Sequence, residues 1–359
     1  MKAILMLQDG RSFSGEAASG SVEIIGEVVF NTAVVGYQEL ITDPAMAGKI
    51  LVLTYPLIGN YGTAPKFNES AQCWASGLII KEGSRIFSNW QAKKSLQDFV
   101  SGQKLPVINS LDTRALTVHL RNKGTMLGII STHAFAPKEL LAKIEAFRKN
   151  KPQSILSKIS VTKPTLVGKS ASRPRLAVLD LGITNSILKQ LLALGFSLQL
   201  FPYNTTAQEI LRSKPRALII SGGPEDDPEL PGVVANVKLL LKRLPILGIS
   251  CGHEVLAAAL GAKIVKMKHG HRGLNYPVYQ AGSYKSEITV QNHGWMVDAN
   301  SLVKIKGVKI TGYNLNDHSV EEMEDKKLRA LGVQYYPVSP GFGEINNAFK
   351  RFIKMVKEH

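Results

Sequence analysis

Pro245-Ile-Leu-Gly248-Ile249-Ser250-Cys251-Gly252-His253-Glu254 takes a short apolar run straight into a segment of helical apolar spacing, with no loop between them. Ile246 to Ile249 reads as a buried strand and His253 to Leu260 as a helix stopped by Gly261. Glycines stand two residues before and two after Ser250, the spacing of a nucleophile elbow, in which a tight turn lifts one side chain above the sheet. A helix starting just beyond that tip aims free N–H groups and a positive dipole end at the same space, which suits an oxyanion. A second predicted strand, Ala217 to Ile220, ends in Ser221-Gly222-Gly223-Pro224, a turn whose N–H groups could complete an oxyanion hole. Taken alone, the motif points to a serine hydrolase with an acid and then a histidine downstream. Asp317-His318 supplies that order, but adjacent residues point apart on a strand and lie about 100° apart on a helix, so both are read as loop residues. The bland reading of Ser250 is a small polar turn residue.

Working outward, strand and helix patterns alternate from Leu176 onward: strands at Leu176 to Leu179 and Leu198 to Phe201, helices at Thr184 to Leu194, Ala207 to Arg212 and Val233 to Arg243. That rhythm predicts a parallel sheet covered on both faces, with its ligand site at the carboxyl ends of the strands. Earlier in the chain, short strand patterns dominate (Ala3 to Leu7, Glu27 to Asn31, Ile50 to Thr54, Gly77 to Ile80), with helices at Leu111 to Arg121 and Pro137 to Arg148. The expected fold class is therefore α/β, a mixed β/α first half followed by a parallel sheet flanked by helices. Between them, residues 151–175 hold three prolines, six Lys or Arg and no acid, and read as a linker. The expected division is 1–150, a linker over 151–175, and 176–359.

The chain has 359 residues, 44 Lys plus Arg and 28 Asp plus Glu, a formal charge of +16. That length suits about two domains, and 44% apolar with 20% charged residues is an ordinary globular balance that excludes disordered and collagen-like classes. The positive charge raises nucleic acid as a partner, but no zinc-finger spacing, aromatic RNA-binding signature or Lys/Arg block supports it, so no nucleic acid is expected. No run approaches the ~20 apolar residues of a membrane span, and no export signal is legible in MKAILMLQDGRSF, so no membrane partner and a cytoplasmic location are expected. Two cysteines, Cys73 and Cys251, build neither a disulfide framework nor a four-ligand zinc site. His269 and His271 sit in a basic stretch with no carboxylate or thiol neighbours in sequence, and no metal site is expected.

At this point the residues resemble a known family, the small subunit of carbamoyl phosphate synthetase, whose C-terminal half is a class I glutamine amidotransferase domain. The resemblance spans the chain. It is carried by residues 26–62 (GEVVFNTAVVGYQELITDPAMAGKILVLTYPLIGNYG), 111–124 (LDTRALTVHLRNKG), SGGP at Ser221, GHRGLNYPV at Gly270, QNHGW at Gln291 and SPG at Ser339. It implies an N-terminal domain specific to the small subunit and a C-terminal amidotransferase domain. It further implies that glutamine is hydrolysed and ammonia passed to a large synthetase subunit, which makes carbamoyl phosphate for pyrimidine and arginine synthesis. The large subunit is the expected partner, and ATP and metal would belong to it, leaving no cofactor in this chain.

The departures from the family pattern concern the chemistry. The family elbow reads Gly-Ile-Cys-x-Gly-His-Gln, whereas here Ser250 holds the nucleophile position, Cys251 follows it and Glu254 replaces the glutamine. The family's His-Pro-Glu before Ser-Pro-Gly reads Tyr336-Pro337-Val338, one residue shorter. All three triad positions have changed, to Ser250, Tyr336 and Val338. A serine hydroxyl needs a base, a phenol with a reference pKa of about 10 is a poor one at pH 7, and valine orients nothing. Cys251 could have a lowered pKa at a helix N-terminus, but a packed small residue is the favoured reading. The resemblance also marks a glutamine pocket that is partly altered. Ala45 stands where the family's serine touches substrate, and Gly223-Pro224-Glu225 replaces Gly-Pro-Gly, putting a charge where the family keeps bare backbone. Asn292, Gly294 and Trp295 hold pocket-lining positions. The resulting expectation is a small-subunit homologue without glutaminase activity, with glutamine binding left open. The alternatives are a serine hydrolase using Ser250 and a non-catalytic small-ligand-binding protein.

Overall fold

A computed structural model describes residues 1–359 except 19, 151–152, 169–173, 284, 339–343 and 359. The chain forms two compact units, Met1–Pro152 and Gln153–His359.

In the first unit, strands β1 (Lys2–Leu7), β2 (Ser12–Ala17), β3 (Glu23–Asn31), β4 (Lys49–Leu53), β5 (Gly77–Ile79), β6 (Val107–Asn109) and β7 (Met126–Ser131) close into a barrel of order β1-β2-β6-β5-β4-β3-β7. Closure leaves no open edge, which short strands of this kind otherwise need to cover. The period-two alternation shows which way each side chain goes: Leu5, Leu7, Val28, Ile50, Val52 and Ile130 share one core. Met6 and Ile129, offset by one, pack instead with Leu140 and Ile144 of the helix α2 (Pro137–Lys149), which follows α1 (Thr113–Lys123) in chain order. Asp112 caps α1, accepting from the Ala115 N–H at 2.9 Å.

The second unit begins inside the stretch read as a linker. There α3 (Leu156–Ile159) buries Leu156 in the second unit's core, and β8 (Thr165–Val167) pairs antiparallel with a sheet strand. The Asp227 carboxylate pins this entry by accepting from Ser154 Oγ, Ile155 N and Leu156 N at 3.1, 2.7 and 3.1 Å. Proline and lysine content hid this pairing, because it is made by backbone hydrogen bonds to a strand some thirty residues away. Residues 151–152 and 169–173 of that stretch lie outside the described ones.

Next come β9 (Arg175–Asp180), α4 (Asn185–Ala193), β10 (Ser197–Pro202), α5 (Ala207–Arg212), β11 (Ala217–Ile220), α6 (Leu230–Leu240), β12 (Ile246–Ile249) and α7 (Cys251–Leu260). After them run β13 (Ile264–Gln280), β14 (Ser286–Val297), β15 (Lys309–Asn314), β16 (Val320–Asp325), β17 (Ala330–Val333) and α8 (Asn347–Lys357). The sheet order is β8-β10-β9-β11-β12-β17-β16-β15-β13-β14, with β10, β9, β11, β12 and β17 mutually parallel. The α/β class and the parallel sheet flanked by helices are thus present, extended by antiparallel strands on both sides. Neighbouring residues of the parallel strands serve opposite faces. Leu176, Val178 and Ile219 join Phe349 and Phe352 of α8 on one side, and Ala177, Leu179 and Ile220 join Val255 and Leu256 of α7 on the other.

Candidate active site

Ser250 lies at the junction of β12 and α7 with φ +54° and ψ −118°, a conformation that costs a non-glycine residue energy and persists only where surroundings impose it. Those surroundings are glycines. A Cβ on Gly248 would come within 2.3 Å of the Gly252 carbonyl oxygen, and one on Gly252 within 2.1 Å of the Ile220 oxygen. The elbow's tight backbone is therefore intact. Gly252→Ala is expected to cost about 3 kcal/mol or more of stability, because the obstacle is backbone. Gly232→Ala, on α6 with open space around it, is expected to be neutral or mildly stabilising. Urea unfolding of the two variants checks the contrast.

The chemistry at the tip is different from its scaffold. Ser250 is fully buried and its Oγ has no hydrogen-bond partner among the described residues. Tyr336 stands across the elbow: a Cβ on Gly222 would lie 3.3 Å from the Tyr336 ring, 3.6 Å from Ser250 Cβ and 3.8 Å from the phenol oxygen. The phenol and Ser250 thus flank the same stretch of Gly222 backbone. Tyr336 is itself held by its N–H donating to the Val290 carbonyl at 2.9 Å, which ties the segment after β17 to β14. Val338 packs against the apolar core on the α8 side of the sheet. The Ser339-Pro340-Gly341 motif lies outside the described residues.

Cys251 starts α7, and its Sγ donates to the Pro224 carbonyl at 3.3 Å. Burial, followed by the nearby carboxylates led by Glu254, pushes the thiol well above its ordinary range, opposite to what a helix N-terminus alone would do. The thiol is a packed group. In the opposing turn, Ser221 Oγ accepts from Leu181 N at 2.9 Å, and a Cβ on Gly223 would sit 1.9 Å from the Leu181 oxygen, so glycine is required there.

Neither conspicuous histidine serves Ser250. His253 is buried against β17, where a Cβ on Gly332 would lie 2.3 Å from its Nδ1, and burial lowers its pKa to about 3. His293 Nδ1 donates to the Trp295 carbonyl at 2.8 Å, and burial holds that imidazole neutral as well.

The pocket positions form a chain of carboxyl groups. Gln334 Nε2 donates to Glu254 Oε1 at 2.8 Å, and Glu254 is hydrogen-bonded in turn to Glu225. Burial, and then the charge of Glu225, pushes Glu254 well above the carboxylate range, and two carboxyl groups in hydrogen-bond contact hold a proton between them. Glu225 accepts from the backbone N–H of Gly294 at 2.7 Å and of Trp295 at 3.4 Å. Asn292 Oδ1 accepts from Arg272 Nη1 at 2.8 Å. Asp227, two residues beyond Glu225, points elsewhere, to residues 154–156. Ala45 belongs to the first unit, buried in the turn after Asp43, whose carboxylate accepts from Ala45 N at 2.9 Å. Its methyl offers no hydrogen bond.

The expectation that His271 lacks acidic neighbours is corrected by the fold. His271 Nε2 meets Asp317 at 2.9 Å, its Nδ1 meets Gln291 Oε1 at 2.9 Å, and Glu321 lies 3.5 Å away. These partners are 20 to 50 residues distant in sequence and converge because β13, β14 and the β15–β16 turn are neighbours. Two buried trios, His271 with His293 and Glu321, and Glu225 with Glu254 and His293, bring their ligand atoms within 4.8 Å of one another and have the geometry to hold a cation. In the structure these atoms hydrogen-bond among themselves and their neighbours.

Comparison with known proteins matches both units. Residues 5–130 match the family described as carbamoyl-phosphate synthase small chain, CPSase domain, and residues 177–355 match glutamine amidotransferase class-I. The carbamoyl phosphate synthase small chain of Syntrophotalea carbinolica is 38% identical over 373 residues, covering 100% of this chain and 99% of that protein. The protein of the same name from Caldanaerobacter subterraneus subsp. tengcongensis is 40% identical over 357 residues, covering 99% and 97%. Among solved structures, a glutamine amidotransferase from Thermotoga maritima aligns with 52% of this chain and 83% of its own at 17% identity and a TM-score of 0.36.

Proposed function

Because the chain belongs to the carbamoyl phosphate synthase small-chain family, we propose that it is a small subunit that docks on a synthetase large subunit but no longer hydrolyses glutamine. The observation that carries this reading is the state of the elbow: its backbone is kept, while Ser250 Oγ is buried with no hydrogen-bond partner among the described residues and a phenol, not an imidazole, lies across Gly222 from it. A nucleophile needs a base of adequate strength within hydrogen-bond reach; burial makes His253 a weak base and packs it against Gly332, and His293 Nδ1 is committed to the Trp295 carbonyl. Synthesis of carbamoyl phosphate for pyrimidines and arginine would then draw on free ammonia.

Mixing the purified chain with its large subunit tests the proposal. The two are expected to co-purify, and the complex to form carbamoyl phosphate from ammonium chloride but not from L-glutamine. Glutamine-driven synthesis would refute the loss of activity, and failure to associate would refute the docking. A serine hydrolase reading predicts fluorophosphonate labelling of Ser250. No labelling is expected here, because the hydroxyl is neither solvent-accessible nor activated. Modification of Ser250 at the rate of a control hydrolase would restore that reading.

A further inference from the structure

The donors around Glu225 form a site built for a carboxylate. Two consecutive backbone N–H groups, of Gly294 and Trp295, point at it, and the Glu254 carboxyl hydrogen-bonds to it from α7. Gly294 leaves the approach open: a Cβ there would lie 2.9 Å from Arg272 Nη2 and 3.6 Å from Glu225 Oε2, between the guanidinium and the carboxylate. Arg272 is itself buried and fixed by Asn292. Backbone N–H pairs, a carboxylic acid and a nearby guanidinium are the groups that would receive the carboxylate of a free small ligand.

We propose that Glu225 is an internal ligand, its carboxylate occupying in cis the anion position of the pocket and thereby closing the pocket to free carboxylate-bearing ligands such as an amino acid. The choice of L-glutamine as a probe rests on the family reading of the pocket; the occupancy of the N–H pair does not. Glu225 is thus a specificity-determining residue, and it acts by being bound. Its own reach is fixed by the Pro224 turn after β11, so the carboxylate pays none of the association entropy a free ligand must pay. Glu254 completes the arrangement. A glutamine there would keep an amide donor for Glu225, whereas alanine would leave the Glu225 charge buried with one fewer partner.

The test is a titration of sodium acetate and of L-glutamine into the wild-type protein and Glu225→Ala, followed by the backbone amide resonances of Gly294 and Trp295. Wild type is expected to show no saturable shift. Glu225→Ala is expected to bind both probes at least about ten-fold more tightly, moving those two resonances. Equal affinities in the two proteins, or no binding in either, overturns the proposal. Should Glu225→Ala fail to fold, hydrogen exchange of Glu225→Gln substitutes: the Gly294 amide is expected to exchange at least about ten-fold faster than in wild type, and an unchanged rate overturns the proposal. Ammonia release is measured in the same samples. Turnover by the wild-type protein would sink the reading of lost glutaminase activity while leaving the binding result to stand or fall by itself.

Discussion

Ser250→Cys is expected to release ammonia from L-glutamine no faster than the unmodified protein, and both at the rate of a buffer blank. Restoring the family's nucleophile restores one element of three. A thiol at position 250 would still have a phenol rather than an imidazole across Gly222 and, among the described residues, no well-placed imidazole to take its proton, since His253 is packed against Gly332 and His293 donates to the Trp295 carbonyl. In a well-studied serine protease, losing the nucleophile or the base alone costs on the order of 10⁶ in turnover, and losing the remainder costs little more. The converse holds when rebuilding: each single reversion gains almost nothing. Even the triple variant Ser250→Cys, Tyr336→His, Val338→Glu is expected to stay near background while Glu225 occupies the pocket, and activity is expected only when Glu225→Gly is added. Steady ammonia release from Ser250→Cys more than about ten-fold above the blank would show that a base exists at the elbow and would remove the central argument for a lost activity.

The second large effect is a loss of stability as pH rises, seated in His271. Burial disfavours its charged form, but hydrogen bonds and charges from Asp317 and Glu321 outweigh that and raise its pKa to about 9 from 6.5. Folded His271 therefore keeps a proton that the unfolded chain gives up. The stabilisation is fully present below pH 6.5 and disappears as pH rises through 9. Asp317, held below its usual range largely by His271 against an opposing desolvation, stays ionised throughout that window. With Asp317 half exposed and its partner buried, the contribution is on the order of 2 kcal/mol, or about 4–8 °C of melting temperature for a unit of this size. Thermal unfolding from pH 6 to pH 10 is expected to show a steeper fall for wild type than for His271→Gln, which lacks the titrating group. Parallel curves for the two proteins would mean that the His271–Asp317 pair contributes nothing to folding.

Much of the second unit's framework was legible in sequence because its parallel strands are buried on both faces and read as short apolar runs. Ala217–Ile220 and Ile246–Ile249 are placed as expected, and α7 starts two residues earlier than its apolar spacing suggests. The long pair β13 and β14 was not legible. Its residues Lys266 to Arg272 and Gln291 to Trp295 are rich in His, Gly, Asn and Lys, bury polar groups in consecutive runs and pair through irregular registers, so no period of two shows. The pocket's details were hidden for a related reason. A glutamate in place of glycine reads as a misplaced charge until the distance from its carboxylate to the Gly294 and Trp295 N–H groups is known.

The order of motifs and the residues Ser250, Tyr336 and Val338 at their positions were determined by the chain alone, because residue identity and spacing are one-dimensional facts; that they stand in place of Cys, His and Glu is what the resemblance to the family pattern implies. The sequence also pointed to the elbow, since glycines two residues either side of a serine run a strand directly into a helix. Only the tertiary structure decided what surrounds those positions. Cys251 is a packed thiol, Tyr336 stands over Gly222, His271 is ion-paired with residues almost fifty positions away, and Glu225 sits on a pair of backbone donors. Each of these depends on which groups fold against one another and on how far burial shifts their protonation, and neither quantity is written in the spacing of residues along the chain.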